Sequence, residues 1–368
     1  MTVHQTAVPL PTDGGLMISH PRRIALLRAL KLGDLLCAVP AFRALRAACP
    51  FAEIRLIGLP WASEFVQRYD GYLDGLFMLP GFPGFPEQPF NAPAFTRLLA
   101  EVQEWRPDLI LQMHGSGELA NPLAMLLGGA LTTGFYRTGQ YCPDPARFIP
   151  YPDDLREVDR HLRLLEHLGI ESVGDHKEMP IYETDRRALA SLVPATLLAS
   201  PYAVVHAGAS VPERRWPPER FAAVADWLAA QGFGVVLTGS SVEAETTRGV
   251  RRALRAPAVD LTGHTSLGTL AALLADARLL VSNDTGVMRV AEAVGTPLVA
   301  VSFDPESWRW APAHTDRYRV LPGGASVPTG AVIDAVREQL CRRTGGGAGM
   351  RSLAGQSPDA SAGRPERR

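Results

Sequence analysis

The sequence predicts an α/β protein made of parallel, doubly wound sheets arranged in two similar halves. Three observations predict it. Short apolar runs bounded by turn residues alternate with segments of helical periodicity along most of the chain. The apolar runs end in loops rich in Gly, Ser and Asp, the kind of loop that carries ligands at the carboxyl ends of parallel strands. The strand–loop–helix array also occurs twice, at similar size. With 368 residues there is room for about two domains. A hydrophobic content of 46% supplies a core for each.

Residues 1–21 are polar, contain Pro and Gly and show no periodicity, so disorder is expected there. Arg23–Arg28 is the first strand and Ala29–Gly33 a loop. Asp34 then opens a helix with Leu35, Val39, Phe42 and Leu45 at helical spacing, and Pro50 lies just beyond its end. Glu53–Gly58 and Pro60–Tyr69 repeat strand and helix, and a third strand is expected near Gly75–Leu79. The following proline-rich loop is expected to expose Phe82, Phe85 and Phe90, either as a variable insertion or as an acceptor-binding loop. Ala94–Glu104 reads as helix, and Asp108–Met113 as a strand ending in His114-Gly-Ser-Gly117. Residues 134–160 are loop-rich and polar, with many Pro and Asp, a helix follows around Val158–Leu168, and the junction between halves falls near 175–200.

The second half begins with the strand Tyr202–His206 and the loop to Pro218. Next come a helix Pro218–Ala230, a strand Gly234–Thr238, the loop Gly239–Glu243 and another helix. Asp260–His264 is a short strand and turn, and Leu267–Asp276 a helix. Leu279–Ser302 then reads as buried strand, polar turn, short helix and buried strand, with Gly295 and Pro297 closing the helix. A last helix covers about Gly330–Cys341, and the Gly-, Ser- and Arg-rich tail from 344 is expected to be disordered.

Composition excludes several classes. A formal net charge of −1 argues against a broad nucleic-acid surface. The four cysteines, Cys37, Cys49, Cys142 and Cys341, include no CxxC pair, so no zinc or redox motif is expected. The N-terminus lacks the apolar core of a signal peptide, and no run of 18 apolar residues exists. A cytoplasmic protein without a membrane span is expected, with at most peripheral membrane contact. No GxGxxG or P-loop is present, and no Asp-x-Asp or His/carboxylate cluster marks a metal site.

Four strand-end loops stand out: Lys31–Asp34, His206–Trp216, Gly239–Glu243 and Asn283–Gly286. Three lie in the second half, so a nucleotide-like ligand is assigned there. In the absence of a metal, a leaving diphosphate needs side-chain cations and helix N-termini. Arg214 and Arg215, next to Ser210, are candidates, and are otherwise a solvated surface pair. Glu243 suits a sugar or ribose hydroxyl pair, or is simply a first-turn helix acid. Asp284 and Thr285 either serve a phosphate with Gly286 or cap the helix. Asp34 is either a general base on a hydroxyl or a helix N-cap, and His114 either catalytic or a loop histidine.

Five segments carry a resemblance to a known family: RIALLRALKLGDLLCAVPAFRALRAACP, HAGASVPERRWPPERFAAVADWL, VVLTGSSVEAE, DLTGHTSLGTLAALLADARLLVSNDTG and VMRVAEAVGTPLVAV. In this order and spacing the chain resembles glycosyltransferase family 9, the lipopolysaccharide heptosyltransferases. The resemblance implies a GT-B fold of two Rossmann-like domains facing a central cleft. Residues 22–180 then form the acceptor domain, 195–328 the nucleotide-sugar donor domain and 329–343 a terminal helix. It further implies inverting, metal-independent transfer from a nucleotide-diphosphate sugar, ADP-heptose in the family's common setting, to a glycan or lipid-linked hydroxyl, with no cofactor.

On this resemblance Asp34, after Gly33, is the general base, and Arg214 stands where the family usually has a lysine contacting the donor diphosphate. Glu243 lies near the nucleoside, and Asp284, Thr285 and Gly286 hold donor phosphate and sugar. Gly33 and His114 lie on the acceptor side. The chain departs from the family at Met288-Arg289-Val290-Ala291-Glu292, where Met-His-hydrophobic-Ala-Ala is usual; Arg289 either binds a phosphate in place of that histidine or marks a different sugar or a lost activity. The loop Ala29-Leu-Lys-Leu also lacks the small or hydroxyl residue common before Gly-Asp. Two other readings are an epimerase of the same fold and a non-catalytic sugar-nucleotide-binding protein.

Overall fold

The computed structural model describes residues 20–311 and 316–344. Apart from residues 20, 21 and 344, the two expectations of terminal disorder lie outside the described residues. The first half runs β1 (Arg23–Leu27), α1 (Leu32–Ala48), β2 (Glu53–Gly58), α2 (Ala62–Arg68), β3 (Gly75–Met78), α3 (Ala92–Trp105), β4 (Leu109–Gln112), α4 (Ala120–Leu126), β5 (Leu131–Tyr136), β6 (Phe148–Pro150) and α5 (Glu157–His167). After a connector come α6 (Glu183–Leu192) and α7 (Ala195–Leu198). The second half runs β7 (Tyr202–His206), α8 (Pro218–Ala230), β8 (Gly234–Thr238), α9 (Ala244–Ala253), β9 (Val259–Asp260), α10 (Leu267–Asp276), β10 (Leu279–Asn283), α11 (Gly286–Val294), β11 (Leu298–Ser302), β12 (Tyr318–Pro322) and α12 (Thr329–Thr344).

The strands form two six-stranded parallel sheets, ordered β3-β2-β1-β4-β5-β6 and β12-β11-β10-β7-β8-β9. Each order reverses once, between β1 and β4 in the first sheet and between β7 and β10 in the second. At such reversals the flanking loops splay apart and leave a crevice at the strand carboxyl ends. Alternation along β1 explains the layers. Ile24 and Leu26 enter the core shared with α1, while Ala25 and Leu27 face the opposite core with α3 and α4. Residues of both sheets share the central core, so the halves are joined by packing as well as by chain, most directly where α1 meets α11.

Local chemistry sets the ends of the helices that border the cleft. Ser266 caps α10 by accepting from the Thr269 amide at 3.1 Å. Gly295 ends α11 in the left-handed region at φ 78°, where a side chain would be strained. The connector is strapped to the first half. Arg43 of α1 donates to the Gly174 and His176 carbonyls and pairs with Glu178 at 2.8 Å, while the Tyr69 hydroxyl donates to the Glu178 carbonyl. Arg68 of α2 pairs with Asp185 of α6 at 2.7 Å, and α6 packs on α10.

Three strands lie where the sequence reading placed none, and one expectation, the exposure of Phe85, is corrected. Residues 134–160 are not all loop, because β5 and β6 extend the first sheet there. The second sheet also continues through β12, a half-exposed edge strand. Phe85 is buried rather than exposed, stacked on the His114 ring at 4.2 Å between centroids; Phe82 packs beside it, and Phe90 is exposed as expected.

Candidate active site

Both sheet reversals open onto one cleft, and the four loops singled out in the sequence meet there. The loop after β1 abuts the N-terminus of α11. A methyl placed on Gly33 would lie 3.3 Å from Cγ of Arg289 and 3.6 Å from Cα of Gly286. The absence of a side chain at Gly33 therefore lets the Asp34 loop approach the donor-side loop closely. Two adjoining cavities share Lys31, Leu32, Ser210, Thr285 and Gly286. The smaller, about 330 Å³, is also lined by Asp34, Arg214, Asp284, Arg289 and Trp310. The larger, about 820 Å³, continues to His206, Glu243, Ser266 and Val287. Both are large enough for a small-molecule ligand, and they meet at Thr285-Gly286.

Asp34 is not the helix N-cap. The cap position is Lys31, whose side chain makes no capping bond, and Asp34 lies in the first turn of α1. Burial pushes its carboxyl above the usual carboxylate range; neighbouring Arg28 pulls it down and Glu157 pushes it up. Sequence reasoning missed Arg28. Its guanidinium donates to the Asp34 carbonyl at 2.9 and 3.0 Å and to the Met113 carbonyl at 2.5 Å, and it pairs with Glu157 at 2.9 Å. It thereby ties the Asp34 loop to the loop after β4. His114 sits in that second loop. It accepts a hydrogen bond from the Ala29 amide on Nδ1 at 3.2 Å, and burial holds it neutral, with its pKa lowered to about 3. Its ring carries no charge at neutral pH, and it lines a third cavity with Phe85 and Glu118.

In the second half's wall of the cleft, Asn283 organises the loops. Its side chain accepts from the Trp216 amide and donates to the Ala207 and Gly208 carbonyls, fixing the loop after β7 to the end of β10. Thr285 occupies the N-cap position of α11 without capping it, and its buried hydroxyl has no partner. That hydroxyl and the free amides of α11 form an anion-seeking group. Asp284 accepts from Arg289 at 3.2 Å and from the Ser302 hydroxyl at 3.0 Å; burial raises its carboxyl pKa against both.

The three arginines separate. Arg214 is exposed, with a 3.8 Å contact to Asp304, and is free to reach an anion. Arg215 is committed to the fold, donating to the Ala209 carbonyl and the Thr246 hydroxyl. Arg289 is buried between Glu292 at 2.6 Å and Asp284 at 3.2 Å, so its charge is already matched. Glu243 accepts from the amide and hydroxyl of Ser240 at 2.7 Å and leaves an oxygen for a ligand. His206 lies behind it, with Nε2 3.8 Å away and Nδ1 bound to the Thr238 hydroxyl. A methyl on Gly208 would fall 2.3 Å from the Glu243 carboxyl, whose flexible end would swing away. Gly208→Ala is thus expected to weaken binding of a ligand held by Glu243 about tenfold, the size of one charge-assisted contact, with little change in melting temperature. Calorimetry with paired thermal denaturation checks both. Among the described residues, no group of three or more His, Cys, Asp or Glu is placed to hold a metal ion.

Two six-stranded parallel sheets whose strand carboxyl ends face one cleft make the GT-B architecture. The model of glycosyltransferase family 9 (heptosyltransferase) matches residues 96–322, and the chain belongs to that family. Lipooligosaccharide heptosyltransferase 2 of Haemophilus influenzae is 34% identical over 114 residues, 30% of this chain and 33% of that protein. The aligned stretch therefore spans about a third of that curated relative. A family 9 glycosyltransferase from Veillonella parvula superposes with a TM-score of 0.74 at 22% identity, covering 89% of this chain and 100% of that one. An Escherichia coli heptosyltransferase solved with ADP gives 0.61 at 18% identity, covering 86% and 97%.

Proposed function

We propose that the protein transfers a heptose or related sugar from an ADP-sugar to a hydroxyl of a glycolipid acceptor, with inversion and without a metal. The observation that carries this reading is the contact between the Asp34 loop and the N-terminus of α11. It puts a half-buried carboxylate across the cleft from the anion-seeking group. The nucleoside occupies the larger cavity with Glu243, and the diphosphate lies on Thr285, Gly286 and Arg214. The sugar extends into the smaller cavity towards Asp34. Asp34 takes the acceptor proton as the acceptor oxygen forms its bond to the anomeric carbon. The bond to the diphosphate breaks on the opposite face, which inverts the centre. The growing charge on the leaving diphosphate falls to Arg214 and the α11 amides. The ADP seen in the Escherichia coli heptosyltransferase supports the choice of nucleotide.

Among the described residues no helix is long and apolar enough to cross a membrane. We place the reaction at the inner face of the cytoplasmic membrane, where a lipid-linked acceptor would be met peripherally.

The test is calorimetric titration with ADP, GDP, UDP and dTDP, followed by transfer from the matching ADP-sugar to a panel of truncated lipopolysaccharides. ADP binding with formation of an inverted product is expected. A preference for another nucleotide overturns the donor; ADP binding without transfer favours a binding protein.

A further inference from the structure

Behind the donor loop, buried charges form a chain that crosses from one half to the other. Lys177 Nζ lies 2.7 Å from Glu292 Oε2, and Arg289 Nη1 donates to Glu292 Oε1 at 2.6 Å. Arg289 Nη2 continues to Asp284 Oδ1 at 3.2 Å. The Lys177, Glu292 and Arg289 side chains are 5%, 2% and 5% exposed, so water screens none of them. The chain balances, with two cations and two carboxylates. Cys37 faces it as an uncharged thiol, burial pushing its pKa up to about 11. The positions from which the charges come are unequal. Arg289, Glu292 and Asp284 belong to the donor-side loop and α11. Lys177 belongs to the connector strapped to α1 and α2 through Arg43, Tyr69 and Glu178.

We propose that Lys177 is a positioning residue for the donor: from the connector it neutralises Glu292, so that Arg289 stays on Asp284 and the donor loop presents no net negative charge to the diphosphate. The inference rests on the nucleotide-sugar reading above. Without Lys177, Arg289 alone faces two buried carboxylates, and the shorter contact, that to Glu292, draws it off Asp284. The cluster then carries a charge of −1 beside the place where an anion must sit. The two unusual residues of α11, Arg289 and Glu292, thus form a unit that Lys177 completes.

The experiment is calorimetric titration of ADP into the full-length protein, Lys177→Met, Glu292→Gln and the double variant. Charge balance fixes the order. Lys177→Met, at −1, should weaken ADP about tenfold. The double variant, back at zero, should return to within about threefold of the unaltered protein. Glu292→Gln, at +1, should bind ADP more tightly than the unaltered protein and about tenfold more tightly than the double variant. A merely structural bridge gives the opposite pattern, since Glu292→Gln strands a buried lysine. Weakened binding in Glu292→Gln without recovery in the double variant overturns the inference, and so does unchanged affinity in Lys177→Met. If Lys177→Met does not fold, Glu292→Gln and the double variant still differ by one charge, and equal ADP affinity overturns the inference. Failure of the unaltered protein to bind ADP is a separate result that overturns the nucleotide reading and this inference with it.

Discussion

Asp34→Asn should lower kcat by about 10²–10⁴-fold, the usual worth of a positioned acid–base group, and should also make the folded protein more stable at neutral pH. The amide has the same shape, and Arg28 holds this loop through the Asp34 backbone carbonyl rather than its carboxylate, so the geometry is kept. The two effects share one cause. Burial raises the Asp34 carboxyl pKa, with Arg28 opposing and Glu157 adding to the rise. A folded-state value above the unfolded one means that the folded protein holds this proton more tightly. The corresponding stability is present below the unfolded value, about 4, and is lost as pH rises through the folded one. At neutral pH the ionised carboxylate is therefore a cost that the asparagine removes. The melting temperature of the variant should exceed that of the parent near pH 7, and the gap should close below about pH 4. In the parent, kcat/KM should fall on the acid side at a pH above the ordinary carboxylate range. Near-normal turnover in the variant would remove Asp34 as the base. A lower melting temperature at pH 7 would show that the carboxylate is held by favourable contacts instead.

Much of this arrangement was legible in the sequence, for reasons visible in particular elements. The sequence places β7 and β8 to the residue because central parallel strands are buried on both faces and carry unbroken apolar runs. It does not place β6 and β12, because an edge strand is buried by one neighbour and need not be apolar throughout. Phe-Ile-Pro and Tyr-Arg-Val-Leu-Pro include a proline that an edge tolerates and a centre does not. Strand-end loops were found for the same reason as central strands, since a ligand loop begins where an apolar run stops. Long-range partners stayed hidden. Phe85 sits in a proline-rich loop that promises exposure, and its burial depends on His114, which β4 delivers. Lys177 carries no local pattern, and its partner Glu292 is 115 residues away. Arg28 looked like the end of a strand; only the folded chain brings it to the carbonyls of Asp34 and Met113.

Arg289→Met and Arg214→Ala should separate two residues that the sequence treated alike as phosphate ligands. Arg289 is buried and matched by two carboxylates, so its removal leaves Asp284 with the Ser302 hydroxyl alone and should cost about 3 kcal/mol of stability. The loss should depend on pH. Burial already raises the Asp284 carboxyl pKa while Arg289 pulls it down, and without Arg289 the value climbs further. The folded variant then binds a proton that the unfolded chain does not, so its deficit should be largest near neutral pH and shrink as Asp284 protonates. Nucleotide binding should weaken with it, because an unpaired carboxylate now faces the diphosphate. Arg214 has the opposite profile. Its side chain is 57% exposed with a 3.8 Å contact to Asp304, an arrangement worth little to folding. Arg214→Ala should leave urea denaturation unchanged within about 0.5 kcal/mol yet lower turnover by about 10²-fold, the usual loss when one donor to a developing charge is removed. Urea denaturation of both variants at pH 5 and pH 7, set beside their kcat values, decides the matter. Equal stability losses, or normal turnover in Arg214→Ala, would return Arg289 to the diphosphate and leave Arg214 as surface charge.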